Sequence, residues 1–523
     1  MQVALSYGLP SGVEWGSQAA RVRLAGAMER PKLSYRGAVK EPLALRELLG
    51  ALYDVVIADF RWRPSVQREE FQRWLTAKLD REAAAERGRL EAERRRFFQW
   101  LWEHDREQWF ILDPVCSVHP DQLFFEAFSR DGSAYARVGV DRAAMDEQGE
   151  TVCGTTNVDF SAGLYEAVRR LRSIWTTEIA LGAAASEGKL EVSTRGKTHH
   201  EKKVELPEGW LRGFVQIGAA FQLPALAVEL QPIHMHEITR FLRGHKAKVS
   251  PRALRWELTP GQPAEVVLEP WEHRLVLAGS SHSAEEPRIV RIWGRRRLCL
   301  LERVIPVVDR FTFHLLGRGL PYFVTARAAG GLDFTLGLSG WTKSDWTSTA
   351  RFNALIARRG AKGTPSPKPL AWLEREHRGT VTEIASALSL SEADVHASLT
   401  EASAQGLVVY DLLHGVYRHR PLLHVPLPPE VTLGHDPQEL EAKALVARDA
   451  VAITGSRRVP RGRAVRGRAT QDAEHVYEPE VVLDDQGRVV EATCTCFFAK
   501  NHGIKQGLCA HQHALLLLDD ALG

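Results

Sequence analysis

The chain is 523 residues long, with 68 Lys and Arg against 65 Asp and Glu and a formal net charge of +3. That balance excludes nucleic-acid binding by bulk electrostatics, so any such activity must come from a local cluster. At 44% hydrophobic and 25% charged residues the composition is that of ordinary globular material, long enough for about three or four domains.

The start, Met1 to Leu5, lacks the basic and apolar regions of a secretory signal. Leu43 to Phe60 reads as an apolar helix. Pro64 opens a second helical region in which Phe71, Trp74, Leu75 and Leu79 share one face, followed by an Arg/Glu/Ala-rich stretch to Arg96. That stretch fits a solvated helix face or an interaction stalk. Gln122 to Glu126 and Ala134 to Val138 read as strands, Leu164 to Trp175 and residues 233–243 as helices. The two histidines of His234-Met235-His236-Glu237 would leave a helix on different faces, which argues against a metal pair there. The longest apolar region, 213–230, is broken by Gln216, Gln222, Pro224 and Glu229 and will not span a membrane. A soluble, cytoplasmic protein is expected.

Residues 252–340 are expected to be β-rich, with strands at Val266 to Glu269, Arg274 to Leu277, Ile289 to Trp293 and Thr312 to Leu316. Arg295, Arg296 and Arg297 form a basic run that suits a solvated turn or an anion contact. Gly360 to Pro367 has linker chemistry. Beyond it, helices at Leu370 to His377, Thr382 to Leu388 and from Ser391, then a hairpin from Leu407 to Arg418, resemble a winged helix-turn-helix. Its third helix, Glu392 to Gln405, carries Glu392, Asp394 and Glu401 but no Lys or Arg. Phosphate contacts need cations, so a structural or protein-binding winged helix is expected.

Six arginines fall in the twelve residues from 457 to 468: Arg457, Arg458, Arg461, Arg463, Arg466 and Arg468. With Gly455, Gly462 and Gly467 among them, the segment suits either a flexible phosphate contact or a strand edge made soluble by charge.

Three of the six cysteines, Cys494, Cys496 and Cys509, lie within sixteen residues, and His511 follows. Three sulfurs and an imidazole supply the four ligands of a closed tetrahedral zinc site. The strands expected at 476–482 and 488–494, joined by Asp-Asp-Gln-Gly, would present the first pair; Gly507 and Ala514 to Leu518 place the second where a loop runs into a helix. A disulfide pair or simple buried thiols also fit the residue types, and His502 and His513 are close enough in sequence to substitute as ligands. With no position left for water, the metal would be structural.

The C-x-C…C-x-H pattern resembles the SWIM zinc finger, and the resemblance implies Cys494, Cys496, Cys509 and His511 as the ligands of one Zn2+. Asp113-Pro114-Val115, Leu123 to Ser129, Asn157 to Ser161, Glu201 to Val204, Trp210 to Phe214, Ile292 to Arg297 and Phe334 to Trp341 extend a likeness to bacterial SWIM zinc finger proteins. That likeness implies association with systems built on a MoxR-type AAA+ ATPase and a von Willebrand factor A protein, and so an adaptor role.

The expected organisation is α+β and multidomain: a mixed α/β N-terminal region with a long charged helix (1–245), a β-rich domain (246–360), a winged-helix-like domain (366–424) and a C-terminal SWIM zinc finger domain (440–523). The sequence holds no P-loop, H-E-x-x-H, nucleophile elbow or dinucleotide fingerprint. Asp333 and Asp345 are expected to bond to backbone. The functional expectation is a non-enzymatic zinc-binding scaffold or adaptor, with a DNA- or RNA-binding protein using residues 457–468 and the finger as the alternative.

Overall fold

The structure, a computed structural model, describes residues 3–7, 11–28, 30, 33–60, 113–182, 202–206, 208–317, 320–340, 345–347, 351–356, 365–423, 425–428, 436–472 and 475–522. The helical region expected from Pro64 to Arg96, and residues 360–364 of the expected linker, lie outside them.

The architecture is mixed α/β. Its largest unit is a nine-stranded sheet in the order Ser281–His282, Leu226–Leu230, Val308–Leu315, Tyr322–Ala328, Leu332–Leu338, Ala134–Asp141, Gln122–Phe128, Val115–Val118 and Gly154–Asn157. Every neighbouring pair is antiparallel. Central strands such as Gln122–Phe128 and Leu332–Leu338 are buried at every position, so both faces are covered. Side chains alternate across a strand. Leu123, Phe125 and Ala127 therefore meet the helix Pro42–Ile57 in one core, while Phe128 and Tyr135 join the helix Glu208–Phe221 in another. This sheet runs across residue 245, where the sequence suggested a boundary.

A five-stranded sheet, Gly12–Trp15, Ala19–Leu24, Thr176–Gly182, Ser34–Val39 and Met145–Glu147, shares the first core. A four-stranded sheet, His273–Val276, Glu265–Leu268, Leu254–Leu258 and Arg288–Ile292, flanks it. The helix expected from Leu164 to Trp175 is shorter, Ala162–Val168, and the chain then turns so that Leu171 can be buried.

Three helices, Lys368–Glu376, Val381–Leu388 and Glu392–Ala404, follow with a three-stranded sheet of Arg378–Gly379, Val416–His419 and Val408–Asp411. Thr380 and Glu383 form a reciprocal capping box, and Ser391 caps the third helix by accepting from the Asp394 amide. The third helix is not left open to a ligand, because it packs on Glu208–Phe221. There Gly218 meets Ser403, whose hydroxyl would lie 2.9 Å from any added Cβ, and Gln222 accepts from Tyr417 at 3.0 Å.

The hairpin after this helix is bound to the nine-stranded sheet by buried charge. Arg418, fully buried, donates to Asp411 at 2.7 Å and to Asp121 at 2.7 Å. Arg137 reaches Asp411 at 2.9 Å and Asp333 at 3.2 Å, and Arg420 lies 3.2 Å from Glu126. Phe124 lies under both Arg137 and Arg418. Asp333 thus bonds to side chains, Arg137 and Gln122 (2.7 Å), and Asp345 accepts from the Thr347 hydroxyl at 3.1 Å. For Asp333 these are side-chain partners where the sequence suggested backbone, because the sheet brings residues 196 and 211 positions away face to face with it.

The C-terminal part holds the helices Pro437–Ala447, Phe497–His502 and Ala510–Leu522, and a sheet of Val451–Val459, Gly462–Thr470, Glu480–Leu483 and Val489–Thr493, with Val476–Tyr477 paired to the second strand. Val465, Val481, Leu483, Val489 and Leu515 enter the same core as Trp210, Phe214 and Phe221. Among the described residues no helix is long and apolar enough to cross a membrane.

Candidate metal centre

The strand Val489–Thr493 delivers Cys494, and Cys496 immediately starts the helix Phe497–His502. Cys496 is the cap of that helix, its sulfur accepting from the Ala499 amide at 3.4 Å. The turn feeding this strand is built by Asp484, whose carboxylate accepts from the amides of Gln486 (3.0 Å) and Arg488 (2.8 Å). Cys509 precedes the helix Ala510–Leu522 and His511 lies in its first turn. Gly507 approaches at φ +91°, where an added Cβ would meet Arg351 at 2.8 Å, so this turn needs glycine.

Cys494, Cys496, Cys509 and His511 converge, with one donor atom from each lying within 4.8 Å of all the others, and all four are buried. His511 Nδ1 lies 3.8 Å from Cys494 Sγ and 4.0 Å from Cys509 Sγ. Zinc–sulfur bonds of about 2.3 Å and zinc–nitrogen bonds of about 2.0 Å put tetrahedral ligands about 3.5–3.8 Å apart, so the observed cage fits one metal ion. All six cysteines are free thiols, which sets the disulfide reading aside. His502 and His513 are not in the group; His502 lies against Phe498, ring centres 5.0 Å apart.

Outside the cage, His511 Nε2 faces Gln471 Oε1 at 3.1 Å. Donation from Nε2–H to that oxygen leaves the Nδ1 lone pair aimed at the sulfurs, which is how outer partners set the tautomer of a ligating histidine. Gln471 is itself held by Glu441 at 2.9 Å, and Tyr477 covers the imidazole with ring centres 4.5 Å apart. The Cys509 thiol, donating a hydrogen bond to Cys494, pulls the Cys494 pKa down to about 4 against the effect of burial, with His511 assisting. The same bond and burial push Cys509 up, and burial pushes Cys496 up. Burial opposes deprotonation of Cys496 and Cys509, so metal uptake would release protons.

The arginine run is ordered where the sequence suggested flexibility. Arg457 and Arg458 lie in the strand Val451–Val459, and Arg463, Arg466 and Arg468 in Gly462–Thr470, with Arg461 at the tight turn between them. Two of its glycines are packing residues: a Cβ at Gly462 would meet the Leu483 carbonyl and one at Gly467 would come within 2.6 Å of Leu515, while Gly455 has open space. Five of the six arginines face carboxylates. Arg457 and Arg466 reach Glu480 at 3.4 and 3.0 Å, Arg458 reaches Asp485 at 2.9 Å, Arg461 Glu491 at 2.8 Å and Arg463 Asp519 at 2.6 Å. Of the other basic run, Arg295 donates to the Ala253 carbonyl and Arg297 to Ser339, both buried, while Arg296 is exposed. His234 caps its own helix, accepting from the Gln231 amide at 3.3 Å.

The second cluster, Asp141, Asp333 and His414, carried no sequence signal, since its members come together only through sheet pairing and the docked hairpin. Arg137 and Gln122 already occupy Asp333.

No family of known proteins matches the chain, and no curated protein matches it. Among solved structures it is similar to the proliferating cellular nuclear antigen of Entamoeba histolytica, at 7% identity and a TM-score of 0.32, over 58% of this chain and 97% of that one. A likeness that weak carries no argument about fold or activity.

Proposed function

We propose that this chain is a non-enzymatic zinc-binding scaffold or adaptor, with a SWIM-type zinc finger at residues 440–523 and a winged helix at 366–424 as interaction modules. The observation that carries the reading is the buried four-ligand cage: three sulfurs and one imidazole suit zinc, and a filled tetrahedron leaves no site for an activated water. Bound zinc would supply folding free energy to the end of the chain. The third helix packs along one side on Glu208–Phe221 and bears no cation, and the hairpin is ion-paired to the nine-stranded sheet. That favours protein contacts over duplex binding. The resemblance to SWIM proteins nominates a MoxR-type AAA+ ATPase and a von Willebrand factor A protein as partners.

The test is co-elution and pull-down of the full chain from its host, followed by mass spectrometry. A stable complex with that ATPase or its von Willebrand factor A partner supports the adaptor reading. Turnover by the isolated, metal-loaded chain, or its recovery without any protein partner, overturns it.

A further inference from the structure

The cationic surface left unpaired is not the arginine run that stands out in the sequence. Between Glu237 and Glu257 there is no Asp or Glu, while Arg240, Arg243, Lys246, Lys248, Arg252 and Arg255 occupy the interval. Arg243 is taken by Glu302, and Arg255 by Glu257, Glu269 and Glu272. Lys246, Lys248 and Arg252 are exposed, as is Arg296 nearby. Among the described residues no carboxylate pairs with any of these four. Burial lowers the pKa of Arg295 to about 10; Arg252 and Arg296 lie close enough to add to that effect, and Glu269 opposes it.

Beside these cations stands a ladder of flat rings. His273, Phe241 and His245 are stacked in parallel, with centroids 4.4 and 3.9 Å apart and interplanar angles of 6° and 10°. Trp271 meets Phe241 and His245 edge-on, and Arg295 lies over Trp271 at 4.8 Å. The helix Pro232–Gly244 supplies Phe241, and the edge strand His273–Val276 supplies His273. The two end rings, His245 and His273, are exposed. The carboxylate of Glu272, which lies between Trp271 and His273, is held by Arg255 at 2.8 Å, so it does not oppose an anion at full strength.

The exposed end rings, His245 and His273, backed by Phe241 and flanked by unpaired cations, supply the two components of sequence-tolerant single-strand binding, where bases stack and phosphates are neutralised. We propose that Phe241, His245, Trp271 and His273, with Lys246, Lys248, Arg252 and Arg296, form a docking surface for single-stranded nucleic acid. A duplex hides its base faces and cannot use the ladder, so single strands are preferred. The inference does not depend on the metal centre or on the adaptor reading.

The experiment is fluorescence anisotropy with the full, metal-loaded chain and labelled oligothymidylate of about 16 nucleotides, at about 50 and 200 mM salt. An oligouridylate arm separates DNA from RNA. The variant Lys246→Glu/Lys248→Glu is expected to weaken binding at least about tenfold and to flatten the salt dependence by about 1.4 in slope, the loss of two phosphate contacts on a single strand. His245→Ala/His273→Ala is expected to weaken binding about tenfold with the salt slope kept. The variant Arg457→Glu/Arg458→Glu is expected to bind like the parent, which keeps this surface distinct from the hairpin. Unchanged thermal melting and metal content certify that each variant is folded. No binding at low salt, equal affinity for a duplex of the same length, parental affinity in both ladder and lysine variants, or equal competition by phosphatidylserine vesicles overturns the proposal.

Discussion

Cys496 has two roles that one substitution can separate. Its sulfur belongs to the cage and also caps the helix Phe497–His502. Serine is a good helix cap but a poor ligand for a thiolate site. Cys496→Ser should therefore preserve the start of the helix while abolishing tight metal binding, read as loss of one equivalent of metal by elemental analysis. Undiminished metal would remove Cys496 from the ligand set. Gln471 offers a finer test because it touches the histidine and is not a ligand. Gln471→Leu should leave the metal bound but lower its affinity about 10–100-fold, the usual effect of deleting an outer partner, measured by competition with a chromogenic chelator. An unchanged affinity would mean that the imidazole is oriented by packing against Tyr477 alone.

The docking of the three-helix unit is where elements meet through charge and histidine. Removing Arg137 leaves Asp333 buried without a cation and Asp411 with Arg418 alone, so Arg137→Met should cost about 3–5 kcal/mol, seen in chemical denaturation. His119 at the end of Val115–Val118 faces His377 at 6.0 Å, and the His419 amide donates to the His377 carbonyl at 2.8 Å. Burial lowers the pKa of all three, that of His419 to about 4 with His377 contributing. The charged groups around them are Arg418, Asp121, Glu374 and Glu376, the last opposing the effect of burial on His377. A folded-state value below the unfolded 6.5 means the unfolded chain protonates first as pH falls. Stability is therefore full above about pH 6.5 and is lost progressively toward pH 4. At pH 5 His419 alone accounts for about 2 kcal/mol. Hydrogen exchange of Val408–Asp411 and Val416–His419 should accelerate between pH 6.5 and 5 beyond the intrinsic rate change. Flat protection over that interval would show that these histidines titrate in the fold as they do in the unfolded chain.

At the scale of the molecule, the parts legible in the sequence are those fixed by nearby residues. The residues of the cage lie within a short span, so their C-x-C…C-x-H pattern is legible as a candidate metal site, and the helix start at Ser391, with Asp394 three residues on, is legible in the same way. The nine-stranded sheet was legible only as separate strands, because its order joins residues 115–118 to residues up to 338, and strands buried on both faces lose the alternation that reveals a sheet face. The arginine run stays ambiguous in the sequence between a flexible contact and a charged strand edge, because nothing local shows that Gly462 and Gly467 each give room to a neighbouring element. The aromatic ladder left no trace in the sequence, since Phe241 and His273 meet only through packing. This non-local construction has a consequence for the metal. The residues inside the C-terminal sheet share a core with Trp210, Phe214, Phe221 and Leu422, and Arg488 donates to the Gln222 carbonyl at 2.8 Å. The cage therefore closes a segment wedged against the helix Glu208–Phe221 rather than a tethered finger. Stripping the metal with a chelator should raise hydrogen exchange in residues 494–522 and also along that helix, some 280 positions earlier in the chain. Exchange confined to 494–522 would mean that the shared core holds without the metal, and that the cage stabilises its own loop only.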